Sequence, residues 1–136
     1  MNNKDLIKKA LESKKGAYVP YSGFHVGAAL ITEDDSIYTG CNIEIASYSP
    51  TICAERTAIF KAVSEGHKKI KKIAIVGDGK DTFPCGVCRQ VIREFGKDAK
   101  IIVANSEDDY KEFTLEELLP NSFGPEDLAQ VKKGEI

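Results

Sequence analysis

The sequence predicts an α/β fold, a three-layer α-β-α sandwich built on a mixed five-stranded sheet. Three observations carry that expectation. Two apolar segments flank the acidic turn Glu33-Asp34-Asp35 and read as a hairpin. Helix-like and strand-like segments then alternate, and glycines stand where the three longer helices should stop. At 136 residues the chain suits one domain over 1–136 with one hydrophobic core.

Each element has its own signal. Residues 3–15 place Leu6, Ile7, Ala10 and Leu11 at helical spacing, with Gly16 as the stop. Tyr18 to Gly23 is a loop containing Pro20. Phe24 to Thr32 reads as a strand, and Ile37 to Ile45 as the strand that returns. Cys53 opens a helix that runs to about Glu65, before Gly66. Ile73 to Val76 is a short apolar strand. Cys85 or Gly86 opens the next helix, which ends at Gly96. Ile101 to Ala104 is a strand, and Tyr110 to Phe113, beyond a polar turn, supplies the fifth. Leu115 to Leu119 forms a short helix before Pro120, and the tail keeps one helical turn.

Composition narrows the partners. The net charge is −2, and the one basic cluster, Lys68, Lys69, Lys71 and Lys72, reads as a solvated stretch just before a strand. Nucleic-acid binding is therefore not expected. Met1 to Leu11 has no apolar core of a targeting signal, and no run is long enough to span a bilayer. The expected location is the cytoplasm, where thiols stay reduced and clustered cysteines serve metals more often than disulfides.

The chemistry sits in Cys53-Ala54-Glu55 and Pro84-Cys85-Gly86-Val87-Cys88, both at expected helix starts. A helix N-terminus favours negative charge and so favours the thiolates zinc requires. Taken alone, Cys85-x-x-Cys88 also fits a redox pair or half of a structural zinc site. A structural site needs a fourth ligand, and Cys41, His25 and His67 are not at ligand-like spacings. Cys41 reads as a small buried residue, His25 as pointing to the other side of its strand from Phe24, and His67 as a helix-end cation. Cys53, Cys85 and Cys88 can hold Zn²⁺ with its fourth position open, the mark of a catalytic site. Glu55 is then free to move protons. Three thiolates and Zn²⁺ sum to −1, and Arg56, with Arg89 second, is placed to offset that charge. Asn42 and Glu44, two apart on a strand, share a face. By themselves they would be an ordinary solvated pair, and Phe24 an ordinary core residue.

Taken together, these motifs resemble the small, homotetrameric, three-cysteine cytidine deaminases. The marks are Tyr21-Ser22-Gly23-Phe24 with Val26-Gly27-Ala28-Ala29, Gly40-Cys41-Asn42-Ile43-Glu44, Cys53-Ala54-Glu55-Arg56-Thr57-Ala58 and Pro84-Cys85-Gly86-Val87-Cys88-Arg89-Gln90. They run through nearly the whole chain, and the zinc-deaminase chemistry is a known pattern. The resemblance implies hydrolytic deamination of cytidine and 2′-deoxycytidine in nucleoside salvage, with one Zn²⁺ per subunit. It implies that Glu55 serves the water, ring N3 and the leaving ammonia. It places Phe24 against the pyrimidine, Asn42 and Glu44 at the 3′-hydroxyl, and Ala54 in the substrate-binding set. It assigns Tyr48 and Phe123 to a pocket shared between subunits, Phe123 closing a neighbour's site. The chain departs from the family at Ile45, where Asn is usual, which bears on substrate breadth and assembly. Rival readings are a deaminase of a modified cytosine nucleoside and a non-catalytic zinc-stabilised module. The second leaves Glu55, Asn42 and Glu44 without a task.

Overall fold

The computed structural model describes residues 1–129, so the expected 1–136 domain runs past the described residues at its end. Strands β1 (Val26–Thr32), β2 (Ile37–Cys41), β3 (Ile70–Gly77), β4 (Lys100–Ser106) and β5 (Asp109–Thr114) form one sheet in the order β2-β1-β3-β4-β5. The neighbours β2-β1, β1-β3 and β4-β5 are antiparallel, and β3-β4 is parallel. A parallel pair needs a crossover, and helix α3 (Gly86–Phe95) provides it. Helix α1 (Asn3–Lys14) covers one face of the sheet, while α2 (Ala54–Ser64), α3 and the short α4 (Leu115–Leu118) cover the other. The expected three-layer sandwich is the observed one.

Alternation along the strands explains the layers. Ala28 and Leu30 face α2 with Ile73, Ile75 and Ile101, whereas Ala29, Ala74, Val76 and Ile102 face Leu6, Ile7 and Ala10 of α1. The core is thus divided by the sheet into two layers rather than being one mass. Strands buried on both faces read as continuous apolar runs, as in Ala28 to Ile31 and Ile73 to Val76. Burying one such side chain fully contributes about 1.5–3 kcal/mol. The edge strand β5 is largely exposed and carries Asp109, Lys111 and Glu112, charges that discourage pairing with another chain.

Two glycines set how closely the helices approach. A Cβ on Gly27 would stand 2.1 Å from the Ala10 carbonyl oxygen of α1. A Cβ on Gly40 would stand 2.5 Å from the Ala58 nitrogen and 2.6 Å from the Ala54 oxygen of α2. Ser13 ties α1 to the same strand by donating to the Gly40 carbonyl at 2.6 Å.

The boundaries differ from the sequence reading in two informative places. The returning strand ends at Cys41, not Ile45, because the Asn42 amide leaves the ladder to bond the Phe24 and Val26 backbone. Beyond it Ile43 forms isolated bridges to Tyr18 and Ile52. The central strand is longer than expected, since residues back to Ile70 pair with β1. Lys71 and Lys72 therefore lie within β3 rather than before it, with Lys71 on Asp35 and Lys72 on the Asn3 side chain, both at 2.6 Å. No helix among the described residues is long and apolar enough to cross a membrane.

Candidate active site

Both cysteine motifs cap helices. Cys53 is the N-cap of α2 and Cys85 the N-cap of α3, each with extended backbone before the first helical residue. Cys88 follows one turn into α3, and its N–H donates to the Cys85 sulfur at 3.5 Å. The two helices begin beside one another, so the three Sγ atoms lie within 4.8 Å of one another. Cys53 and Cys85 are 3.6 Å apart. Tetrahedral sulfur ligands at about 2.3 Å from zinc stand about 3.8 Å from each other. The pocket already has the spacing the metal needs, and its donor set of three thiolates suits zinc.

Electrostatics favour an anionic cluster. Arg56 Nη2 donates to Cys53 Sγ at 3.3 Å, and Arg56 Nε is buried without a partner beside the sulfurs. Hydrogen bonding from Cys88, then from Arg56, holds the Cys53 thiol down to about 5. The same Cys53–Cys88 bond, with burial, pushes Cys88 well above the ordinary thiol range.

Glu55 is 3% exposed, one residue into the helix that Cys53 caps. Burial pushes its carboxyl up to about 7. Desolvation of this kind poises a carboxyl to take and return protons near neutral pH. Its neighbour Ala54 is fully buried and begins the helix, where N–H groups have no intrahelical acceptor.

Of the remaining expected site residues, Phe24, Asn42 and Glu44 are half-buried, and Tyr48 and Phe123 are exposed. Asn42 Oδ1 accepts from the Val26 N–H at 2.9 Å, and Asn42 Nδ2 donates to the Phe24 carbonyl at 2.8 Å. Glu44 accepts from the Tyr21 and Ser22 N–H groups at 3.1 Å each, and from the Ser22 hydroxyl. Those bonds hold the Glu44 carboxyl below its usual range. Both side chains are thus engaged by the segment that carries the half-buried Phe24. Tyr21, Ser22, Glu44, Tyr48 and Thr51 line a hollow of about 370 Å³. Tyr48 is 69% exposed, adopts a left-handed φ of 63°, and meets Tyr21 edge-on at 6.0 Å. Phe123 is 57% exposed, its carbonyl held by Gln90 Nε2 at 2.8 Å.

Arg89 does not serve the sulfurs. Its guanidinium donates to the Pro84 and Leu118 carbonyls, at 2.8 and 2.7 Å. His25 bonds Asp78 and His67 bonds Asp34, so neither joins the cysteines. Ser22 carried no assignment in the sequence reading, yet it is the main partner of Glu44. Ser22 stands in a turn closed by Gly23 at a φ of 68°, and its hydroxyl also accepts from the Phe24 N–H at 3.0 Å, a local Ser turn that the Ser-Gly pair could have suggested.

Residues 1–105 match the family model for the cytidine and deoxycytidylate deaminase zinc-binding region. The chain belongs to this family. It is 51% identical over 130 residues to a cytidine deaminase of Halalkalibacterium halodurans, covering 94% of this chain and 98% of that one. It is 39% identical over 125 residues to a cytidine deaminase of Mycobacterium tuberculosis, covering 91% of each. The crystal structure of a cytidine deaminase from Burkholderia pseudomallei superposes with a TM-score of 0.86 at 42% identity, over 90% of this chain and 100% of that one. Membership in a zinc-binding deaminase family agrees with the donor set, and the resemblance first read from the motifs is the family found.

Proposed function

We propose that the protein hydrolyses cytidine and 2′-deoxycytidine to the uridine nucleosides and ammonia, one water being consumed per amine released. The observation that carries this reading is the buried Glu55 beside three converging thiolates at two helix N-termini. Cys53, Cys85 and Cys88 would hold one zinc ion per chain, with Arg56 offsetting the excess negative charge. When bound, zinc supplies Lewis acidity that brings the pKa of water toward neutrality. Glu55 would pass one proton of the attacking water to ring N3 and then the second, from the new C4 hydroxyl, to the amine, so that ammonia leaves as the C4 carbonyl forms. One carboxylate can serve these transfers because burial, by disfavouring its charged form, raises it to about 7, where both protonation states are accessible.

The other side chains orient the nucleoside. Phe24 packs on the pyrimidine, and Ala54 offers its backbone at the start of α2. Asn42 and Glu44 take the 3′-hydroxyl, their own bonds to the 21–26 segment fixing their rotamers beforehand. A site built around a hydroxyl leaves polar groups unpaired when that hydroxyl is missing or blocked. Nucleoside rather than nucleic acid is therefore the substrate, and pyrimidine salvage in the cytoplasm is the natural setting. The exposed aromatics Phe123 and Tyr48 support a homotetramer in which a neighbouring copy completes each pocket. In that assembly residues 1–136 of each copy are read as one catalytic domain.

The test is the ultraviolet spectrum of zinc-loaded protein mixed with cytidine. Conversion to the uridine spectrum, lost in Glu55→Gln with zinc retained, supports reaction and role together. A zinc-loaded chain that leaves cytidine unchanged refutes the substrate, and modified cytosine nucleosides become the next candidates. Ile45, 39% exposed, would be the first residue to exchange in that case.

A further inference from the structure

The segment that follows α4 is fastened to α3 on both sides of Phe123. Gln90 Nε2 donates to the Phe123 carbonyl at 2.8 Å. Arg93 Nε donates to the Ser122 hydroxyl at 2.8 Å, and Arg93 Nη2 donates to the Glu126 carboxylate. Gly124 is buried against the same guanidinium, where a Cβ would stand 2.5 Å from both Nη atoms. Further back, Arg89 donates to the Leu118 carbonyl at 2.7 Å. Among the described residues, every side-chain hydrogen bond between 118–127 and the rest of the chain starts on α3. Lys97, just beyond the helix, adds an exposed second cation 3.7 Å from Glu126.

Arg93 is the unusual member of this set, a cation only 7% exposed. A buried guanidinium needs partners, and losing them leaves an uncompensated charge. Its hydrogen-bond acceptors stand one residue before Phe123 and three after it. In return, the bond from Arg93 holds the Glu126 carboxyl down to about 2. The segment thus buries the cation, and the cation fixes the segment. On this pinned backbone the Phe123 ring itself is turned outward, 57% exposed. An aromatic ring whose backbone is already ordered loses little freedom when another chain covers it.

We propose that Gln90 and Arg93 are positioning residues for substrate binding: together they pin residues 122–126 so that the Phe123 ring is pre-set to close the pocket of a neighbouring copy, without touching substrate or metal. The proposal rests on the reading of Phe123 given above. Gln90 fixes the Phe123 backbone and Arg93 fixes its flanks, so either one alone leaves the other tie in place. Binding is separated from chemistry, because Glu55 and Arg56 belong to α2.

The test is a double-mutant cycle on the zinc-loaded full chain. Gln90→Ala removes an exposed amide, and Arg93→Met keeps the apolar stem while removing the buried charge. The two exchanges together should raise KM for cytidine about tenfold, with kcat within about threefold of wild type. Phe123→Ala alone should raise KM by at least as much. Added to Phe123→Ala, the two exchanges should raise KM less than about twofold further, because a clamp acting through one ring then has nothing to place. Amide hydrogen exchange at residues 121–126 should accelerate in the clamp variant. The cobalt(II)-substituted absorption spectrum, which reports the thiolate geometry, should stay unchanged. A merely structural role would lower the melting temperature and shift KM by the same factor with or without Phe123, and that result overturns the proposal. So does a clamp variant with unchanged KM where Phe123→Ala raises it. If Phe123→Ala leaves KM alone, the reading of Phe123 falls and this proposal with it. If wild type fails to turn over cytidine, the reaction proposed above falls, and unchanged exchange at 121–126 in the clamp variant would overturn the clamp independently. If the clamp variant does not fold, Gly124→Ala drives the guanidinium off its partners with every α3 side chain kept. It should raise KM only while Phe123 is present, and an equal rise in Phe123→Ala overturns the proposal.

Discussion

Replacing Gly40 by alanine tests how the catalytic helix is placed. The new Cβ would lie 2.5 Å from the Ala58 nitrogen, 2.6 Å from the Ala54 oxygen and 2.9 Å from Thr57 Cβ. Ordinary contact starts near 3.4 Å, so α2 must retreat from β2 by about 0.9 Å. The obstacle is helix backbone, which cannot swing aside as a long side chain would. Retreat also opens the packing of Ala54, Ala58, Ile59 and Ala62 against the sheet. Overpacking of this kind costs about 1–3 kcal/mol. For a chain of this size that lowers the melting temperature by about 4–12 °C. The larger effect is functional, because the first turn of α2 carries Cys53, Glu55 and Arg56. A displacement of about 1 Å can reduce a rate by about 10². The assay is kcat/KM for cytidine with metal content and melting temperature, all at saturating zinc. A variant of wild-type stability whose kcat/KM stays within threefold would refute the reasoning that Gly40 sets the helix position.

Three further outcomes are expected. Glu55→Gln should lower kcat by about 10⁴ while one zinc per chain is retained, as the proposed proton-carrying, non-ligand role requires; metal analysis and steady-state rates decide it. Removing zinc with a chelator should lower the melting temperature and adding it back restore it, because a ligand at a thousand times its Kd stabilises the folded state by about 4 kcal/mol. A melting temperature indifferent to verified metal loss would contradict the site. Asp78 accepts from the His25 N–H at 2.7 Å, the His25 ring at 2.8 Å and Lys14 at 3.2 Å, which hold its carboxyl down to about 2. A folded-state value below the unfolded one means the contribution is present above about pH 4 and fades as pH falls toward 2. Urea midpoints of wild type and Asp78→Asn should therefore differ at pH 7 and converge toward pH 2. A gap independent of pH would assign the effect to something other than this carboxylate.

The parts of the fold that were legible in the sequence are those fixed within a turn or two of the chain. Continuous apolar runs at Ala28 to Ile31 and Ile73 to Val76 marked the central strands, and Gly66 and Gly96 marked helix ends. The ligand set was legible for the same reason: Cys53 and Cys85 are N-caps, so each thiol is aimed by the first turn of its own helix. What the sequence hid are bonds between segments far apart in the chain. Alternation runs unbroken through Ile45, so nothing local announces that β2 stops at Cys41. The stop is made by Asn42 bonding the Phe24 and Val26 backbone, across 18 and 16 residues. Glu44 finds Ser22 across 22 residues, and Asn105 finds Asp81 across 24. Arg89, adjacent to Cys88 in sequence, turned out to serve two carbonyls, because backbone oxygens at Pro84 and Leu118 lie within its reach.

These long-range bonds share one arrangement. Asn42 and Glu44 fix the segment that carries Phe24, Asp78 ties the loop beneath Phe24 to His25, and Gly40 sets the depth of the helix that carries Glu55. The proposed reacting groups are at helix starts, whereas Phe24, the proposed wall for the base, is on a loop held by side-chain amides and carboxylates. Loops fastened by a few polar bonds adjust more readily than helices packed on a sheet. Substitutions at Asn42 or Asp78 should therefore alter which cytosine nucleosides bind before they alter the deamination step, and substitutions at Gly40 or Arg56 should do the reverse. On this division the departure at Ile45, in the loop beyond Glu44, belongs with substrate range, since the sulfurs and Glu55 are placed without it.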